Sequence, residues 1–167
     1  GGPAIFKQKR VGKDGREFLC FKFRSMHVDA KEQLAELLER DPRARAEWKA
    51  TQKLENDPRI TKLGNFLRKS SLDELPQLLN IIKGDMSIVG PRPIVRGEIE
   101  KYGAYFEHYT SVRPGLTGLW QVSGRSETTY EERVALDVTY VNERSYISDL
   151  KSIAMTVPAV LMSDGAK

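Results

Sequence analysis

SSLDELPQLLNIIKGDMSIVGPRP, residues 70 to 93, carries a helix start, two adjacent carboxylates, a helix stop, a short apolar strand and a stiff Pro-Arg-Pro turn. Ser71 followed by Glu74 has the spacing of a capping box, in which two side chains satisfy orphan amides at a helix N-terminus. Pro76 restricts the register, because a proline deep inside a helix loses a backbone bond and clashes with the preceding turn. The helix is therefore expected to begin near Leu72 to Glu74. With Asp73 as the cap instead, Pro76 falls at the third helical position and disrupts nothing. Both registers put Asp73 and Glu74 at the positive end of the dipole, which favours their ionised forms. Leu75, Leu78, Leu79 and Ile82 recur at helical spacing and predict one packed apolar face, and Gly84 predicts the stop. An ionised, rigidly held Asp73 is a candidate nucleophile or metal ligand. Acidic first turns are also ordinary capping chemistry, so the dipeptide alone does not choose.

Upstream, Thr61 can cap a short helix through Leu63, Phe66 and Leu67 that ends on Arg68 and Lys69 and brings two cations to the carboxylates. Such cations also serve as ordinary partners of a helix C-terminus. Downstream, Ile88-Val89 reads as a short buried strand. Gly90-Pro91-Arg92-Pro93 then holds Arg92 between two prolines, where its guanidinium could chelate a phosphate or simply mark a chain reversal. A second rich stretch, RPGLTGLWQVSGR, has arginines at both ends, Arg113 and Arg125, and glycines that permit close backbone approach to a ligand. It lacks the lysine and spacing of a P-loop, and no dinucleotide-binding glycine motif is present.

The N-terminal part reads as a β-hairpin, residues 4–11 and 17–24 around Gly12-Lys13-Asp14-Gly15. Alternation puts Lys22 and Arg24 on one face and Phe21 and Phe23 on the other. Residues 28–54 read as an exposed helical hairpin broken at Asp41-Pro42, and residues 94–110 as an amphipathic helix with Tyr102, Tyr105, Phe106 and Tyr109. Two last helices follow, residues 129–142 and 148–162. Pro158 is expected to kink or shorten the second, whose apolar girth suits core packing better than a membrane surface. The predicted class is α+β, a mainly helical single domain over residues 1–167 with an N-terminal hairpin and short strands near the active site.

The chain has 167 residues, 30% of them charged, and a net charge of +4, which excludes a disordered chain and suits an anionic partner. Cys20, the only cysteine, forms no internal disulfide, and its aromatic neighbours predict a core position. No apolar run reaches the roughly 18 residues of a spanning helix.

Together FKFRSM, LRKSSLDELPQLLNIIKGDMSIVGPRP and RPGLTGLWQVSGR, in that order over nearly the full length, resemble the catalytic domain of bacterial polyprenyl-phosphate hexose-1-phosphate transferases. The resemblance implies transfer of a sugar phosphate from a UDP-sugar to a polyprenyl (undecaprenyl) phosphate, with release of UMP, as the first membrane step of exopolysaccharide, capsule or O-antigen synthesis. It makes Asp73 the nucleophile and Glu74 the ligand of Mg2+. It assigns Lys22, Arg24, Arg68, Arg92, Arg113 and Arg125 to substrate phosphates, and Asp137, in LDVTYV, to support of the metal or sugar end. Galactose or glucose is the expected sugar, no nucleic acid is expected, and self-association is left open. The expected location is the cytoplasmic face of the bacterial inner membrane. Family members carry a hydrophobic re-entrant segment ahead of the equivalent of Gly1, so the chain is expected to be a truncated catalytic portion, soluble in this form. The rival reading is a non-catalytic basic module for nucleotides or nucleic acid, suggested by aromatic-basic interleaving in FLCFKFR.

Overall fold

Ile5–Val11 (β1) and Glu17–Phe23 (β2) pair antiparallel, Ile5 opposite Phe23 and Val11 opposite Glu17. They do so in a computed structural model that describes residues 2–51, 54–123 and 128–161, with side chains 50, 51 and 161 left aside. The connection turns through Asp14 and Gly15, both at positive φ (57° and 72°), a region that aspartate tolerates and glycine prefers. At its turn end the hairpin enters the core, where the Val11 amide donates to the Ile94 carbonyl at 2.9 Å.

Ala30–Arg40 (α1) and Pro42–Thr51 (α2) form the expected helical hairpin. Asp41 Oδ1 accepts from the Arg43 and Ala44 amides at 2.8 and 3.2 Å, and Pro42 opens α2, where a missing N–H costs nothing. This excursion leaves and re-enters the body at one point: Met26 bridges Ile60, and the His27 amide donates to the Arg59 carbonyl at 2.9 Å. Lys62–Lys69 (α3) follows with Thr61 as its cap, Oγ1 accepting from the Gly64 amide at 2.9 Å. A Cβ on Gly64 would lie 1.8 Å from the Ser25 carbonyl oxygen, so only glycine lets α3 lie directly on the chain leaving β2.

Residues 70–93 depart from the sequence reading in two ways. The capping box does not form. Ser71 sits in the left-handed region (φ 56°, ψ 13°) with no capping bond from its side chain, and a single 3-10 turn over Leu72–Glu74 precedes Gln77–Ile82 (α4). Three-residue bonds, Leu75 amide to Leu72 carbonyl and Leu78 amide to Leu75 carbonyl, carry the chain past Pro76, which has no N–H to give. The predicted stop holds, with Gly84 at φ 82°.

The second departure is that α4 is turned over. Leu75, Leu78, Leu79 and Ile82 face outward, Ile82 at 82% exposure, while Gln77 and Asn80 are buried. The physical reason is the free edge of β2. Asn80 Oδ1 accepts from the Phe21 amide at 3.0 Å, and Nδ2 donates to the Leu19 carbonyl at 2.7 Å. Leaving those edge groups unpaired inside the protein would cost about 1–3 kcal/mol each.

Ser87–Val89 (β3) pairs parallel with Gly115–Thr117 (β4). Val89 is buried and Ile88 half exposed, so this strand is covered on one face rather than two. A Cβ on Gly115 would lie 2.1 Å from the Gly90 amide nitrogen, and one on Gly118 would lie 2.1 Å from the Gly90 carbonyl oxygen. The glycines expected to admit a ligand therefore admit one another's backbone.

Residues 94–110 are not one helix. Ile99–Tyr102 (α5) and Phe106–Thr110 (α6) are separated at Gly103, whose φ of 51° breaks the run. The core is nonetheless built there, from Val11, Ile94, Tyr102, Tyr109 and Val134, with Phe106, Tyr130 and Val138 against it. Leu119–Ser123 (α7) precedes Tyr130–Glu143 (α8), which opens on a reciprocal box between Thr129 and Glu132. Tyr146–Leu161 (α9) runs through Pro158 instead of stopping there. It buries Ser152 and bonds Thr156 to Thr117 at 2.7 Å, while Leu150, Ile153 and Val157 stay exposed. That reverses the expected packing of its apolar face. Among the described residues no helix is long and apolar enough to cross a membrane.

Candidate active site

Three elements converge on the carboxylate pair. β2 supplies Lys22, whose Nζ donates to Glu74 Oε1 at 2.7 Å. The Pro-Arg-Pro loop supplies Arg92, whose Nη1 donates to the same oxygen at 3.3 Å. α3 supplies Arg68, aimed by its Nε–H bond to Ser25 Oγ at 2.9 Å, and its charge acts on Asp73. Arg92 is fixed through its backbone on both sides. The Gly115 amide donates to the Pro91 carbonyl at 2.8 Å, and Arg10 Nη1 donates to the Pro93 carbonyl at 2.9 Å.

The two carboxylates differ in their surroundings. Burial works against the Glu74 charge, but Arg92 and Lys22 overrule it and hold the carboxyl down at about 2. Asp73 is half-buried, and among the described residues no hydrogen bond or ion pair reaches its carboxylate. Burial and the neighbouring Glu74 charge push its pKa up, against the pull of Lys22, Arg68 and Arg92. This is opposite to the direction expected at a helix N-terminus, because burial dominates, and α4 begins only four residues later. Among the described residues, one carboxylate is paired with cations and the other is not.

The remaining sequence-derived candidates scatter. Arg24 donates to the Pro3 carbonyl at 2.8 Å, lies over the Phe6 ring and faces a separate recess with Met26, His27 and Thr61. Arg113 is exposed beside Gly84 at the far end of α4. Neither touches Asp73 or Glu74 among the described residues. Arg125 lies outside the described residues. Asp137 is buried in the aromatic core, where it accepts the Tyr102 hydroxyl at 2.6 Å, and burial pushes its carboxyl up to about 6.

Sequence reasoning missed Arg10 and Gln77, which share the recess beneath Glu74 with Lys22, Arg92 and the buried Cys20. The available signal for Arg10 was parity: it lies on the face of β1 opposite the one carrying Lys7 and Lys9, across from the side of β2 that carries Cys20 and Lys22.

No cluster of three metal-ligating side chains occurs among the described residues. Mg2+ takes only one or two carboxylates from a protein and completes its shell with water and substrate phosphate. Asp73, together with the second oxygen of Glu74, which neither Lys22 nor Arg92 occupies, offers a donor set of that kind.

A sequence model of the family described as bacterial sugar transferase matches residues 1–163. The chain is 54% identical over 166 residues to the undecaprenyl-phosphate galactose phosphotransferase of Salmonella typhimurium, a match covering 99% of this chain and 35% of that protein. It is 43% identical over 164 residues to the UDP-glucose:undecaprenyl-phosphate glucose-1-phosphate transferase of Escherichia coli, covering 93% of this chain and 32% of that one. With the exopolysaccharide production protein ExoY of Rhizobium meliloti it shares 51% identity over 166 residues, covering 99% of this chain and 74% of ExoY. The chain thus spans about a third of the length of the first two relatives.

Proposed function

This chain belongs to the bacterial sugar transferase family, and on that premise we propose that it moves a hexose-1-phosphate from a UDP-sugar to undecaprenyl phosphate through a covalent intermediate on Asp73. The relatives' names support undecaprenyl phosphate as the acceptor and galactose or glucose as the sugar. The observation that carries the nucleophile is the uncommitted Asp73 carboxylate beside a Glu74 already bound by two cations.

An Asp73 oxygen attacks the phosphorus that bears the sugar. The bond from that phosphorus to the bridging diphosphate oxygen breaks, and UMP departs with the electron pair. An oxygen of the lipid phosphate then attacks the same phosphorus, which releases the Asp73 carboxylate and leaves a lipid diphosphate-sugar. Arg92, Lys22 and Arg68 would offset charge developing on the phosphoryl oxygens. Asp73 and Glu74 would hold Mg2+, which supplies further charge neutralisation to the diphosphate when bound. The donor and the lipid can use one site in succession, so ping-pong kinetics are expected. The outward apolar side chains of α4 and α9, with the +4 net charge, support association with an anionic membrane surface.

The test uses the full-length protein in membranes with Mg2+ and UDP-galactose or UDP-glucose labelled in the sugar. UMP release and label on Asp73 are expected, and Asp73→Asn should lower turnover by roughly 10³-fold or more. Label reaching lipid at the wild-type rate in Asp73→Asn would remove Asp73 from the chemistry.

A further inference from the structure

Arg92 touches Glu74 through one long bond of 3.3 Å, and its guanidinium also lies over the ring of Trp120, 6.0 Å from the centroid. Trp120 is itself held. Its indole N–H donates to Thr128 Oγ1 at 2.7 Å, and its ring carries the buried guanidinium of Arg133 at 4.8 Å. Arg133 also rests on the Tyr130 ring at 5.1 Å, and its Nε and Nη2 find no hydrogen-bond partner among the described residues, so ring contact accounts for much of its placement. Its remaining nitrogen, Nη1, donates to Glu98 Oε1 at 3.3 Å.

Glu98 reaches the loop from the other direction as well. Its second oxygen accepts from the Val95 amide at 2.8 Å and lies 3.9 Å from Arg10 Nη1, the same nitrogen that holds the Pro93 carbonyl. Arg10 Nη2 is braced by Gln8 Oε1 at 2.8 Å. One carboxylate therefore anchors both supports of Arg92: the backbone support through Arg10 and Pro93, and the side-chain support through Arg133 and Trp120.

We propose that Arg10 and Trp120, joined through Glu98 and Arg133, are positioning residues that hold the Arg92 guanidinium at the Glu74–Asp73 pair. This rests on the transferase reading for its kinetic readout, but the clamp itself can be read without turnover. Arg10 and Trp120 act through Arg92, so their effect should vanish once Arg92 is gone. A guanidinium misplaced by about an ångström should cost on the order of 10²-fold in kcat.

The experiment is a pair of double-mutant cycles in the full-length membrane-embedded protein, with UMP release as the assay and melting temperature recorded for each variant. Arg10→Met and Trp120→Leu are each expected to lower kcat by about 10- to 100-fold with little change in the donor KM. Arg10→Lys and Trp120→Phe should lose less, since each keeps the charge or the ring. In an Arg92→Ala background, Arg10→Met and Trp120→Leu should change kcat no further. Multiplicative losses in that background, or losses that track melting temperature across the set, would overturn the clamp.

A second readout is independent of activity: the emission difference between the full-length protein and its Trp120→Phe variant isolates Trp120, and Arg92→Met should shift that difference. Unchanged emission counts against the contact. A protein that turns over no UDP-sugar yet shows the shift defeats the transferase reading and leaves the clamp standing.

Discussion

Asp73 and Glu74 share a peptide bond, yet their surroundings push their acidities in opposite directions, and the same contrast recurs between Glu74 and the buried Asp137. Glu74 titrates at about 2 in the fold against an ordinary 4.5, so its stabilising contribution is complete above pH 4.5 and is lost as pH falls through 2. Asp137 behaves oppositely. Raised to about 6 from 3.8, it holds a proton in the fold that the unfolded chain has already released, so stability rises as pH falls from above 6 toward 4. The gain is on the order of 3 kcal/mol at most. Urea denaturation at pH 7 and pH 4.5 should show this gain in the wild type, and Asp137→Asn, which can still accept the Tyr102 hydroxyl, should remove it. An equal gain in the variant would assign the effect to another group.

Among the elements, α4 depends on a polar residue rather than on its leucines. Asn80 supplies the hydrogen bonds that a third strand would have given β2, and it thereby sets how Glu74 meets Lys22. Asn80→Ala should cost about 2–4 kcal/mol, read by chemical denaturation, because it strands an amide and a carbonyl inside the protein. A loss under 1 kcal/mol would show that water replaces the carboxamide.

The same helix marks the limit of what the sequence conveys. Pro76 and the leucine spacing located the helix but started it near Leu72 to Glu74, where the chain makes a 3-10 turn and α4 begins only at Gln77; the cations Lys22, Arg68 and Arg92 beside the carboxylate pair were legible from position and motif. Periodicity reports that apolar residues share a face but not whether that face turns inward, and here the free edge of β2 decided. The glycines at 115 and 118 were read as room for a ligand because a sequence does not show that the backbone at Gly90 will fill the gap. Arg10 was passed over among Lys7 and Lys9: alternation separates their faces, but only the hairpin register sets Arg10 on the side of Cys20 and Lys22.

Over the whole molecule, apolar side chains are offered to solvent from α3 through α4 (Leu63, Phe66, Leu75, Leu79, Ile82) and again along α9. A display of that kind marks an interaction surface more often than chance exposure. The chain should bind vesicles containing anionic lipid, more weakly at high salt, and Ile82→Glu should reduce partitioning by about tenfold, a loss of roughly 1.4 kcal/mol. Because Ile82 is exposed, the substitution should change folding stability by no more than about 0.5 kcal/mol. Equal partitioning of wild type and Ile82→Glu would exclude α4 from the lipid contact.

The bridge between Met26 and Ile60 has a practical corollary. Because the excursion carrying α1 and α2 departs and returns through neighbouring positions, its far end is a natural port for foreign cargo. A fluorescent reporter with adjacent termini, grafted at the α1–α2 bend, would ride on the domain without tugging on Ser25 and Arg68.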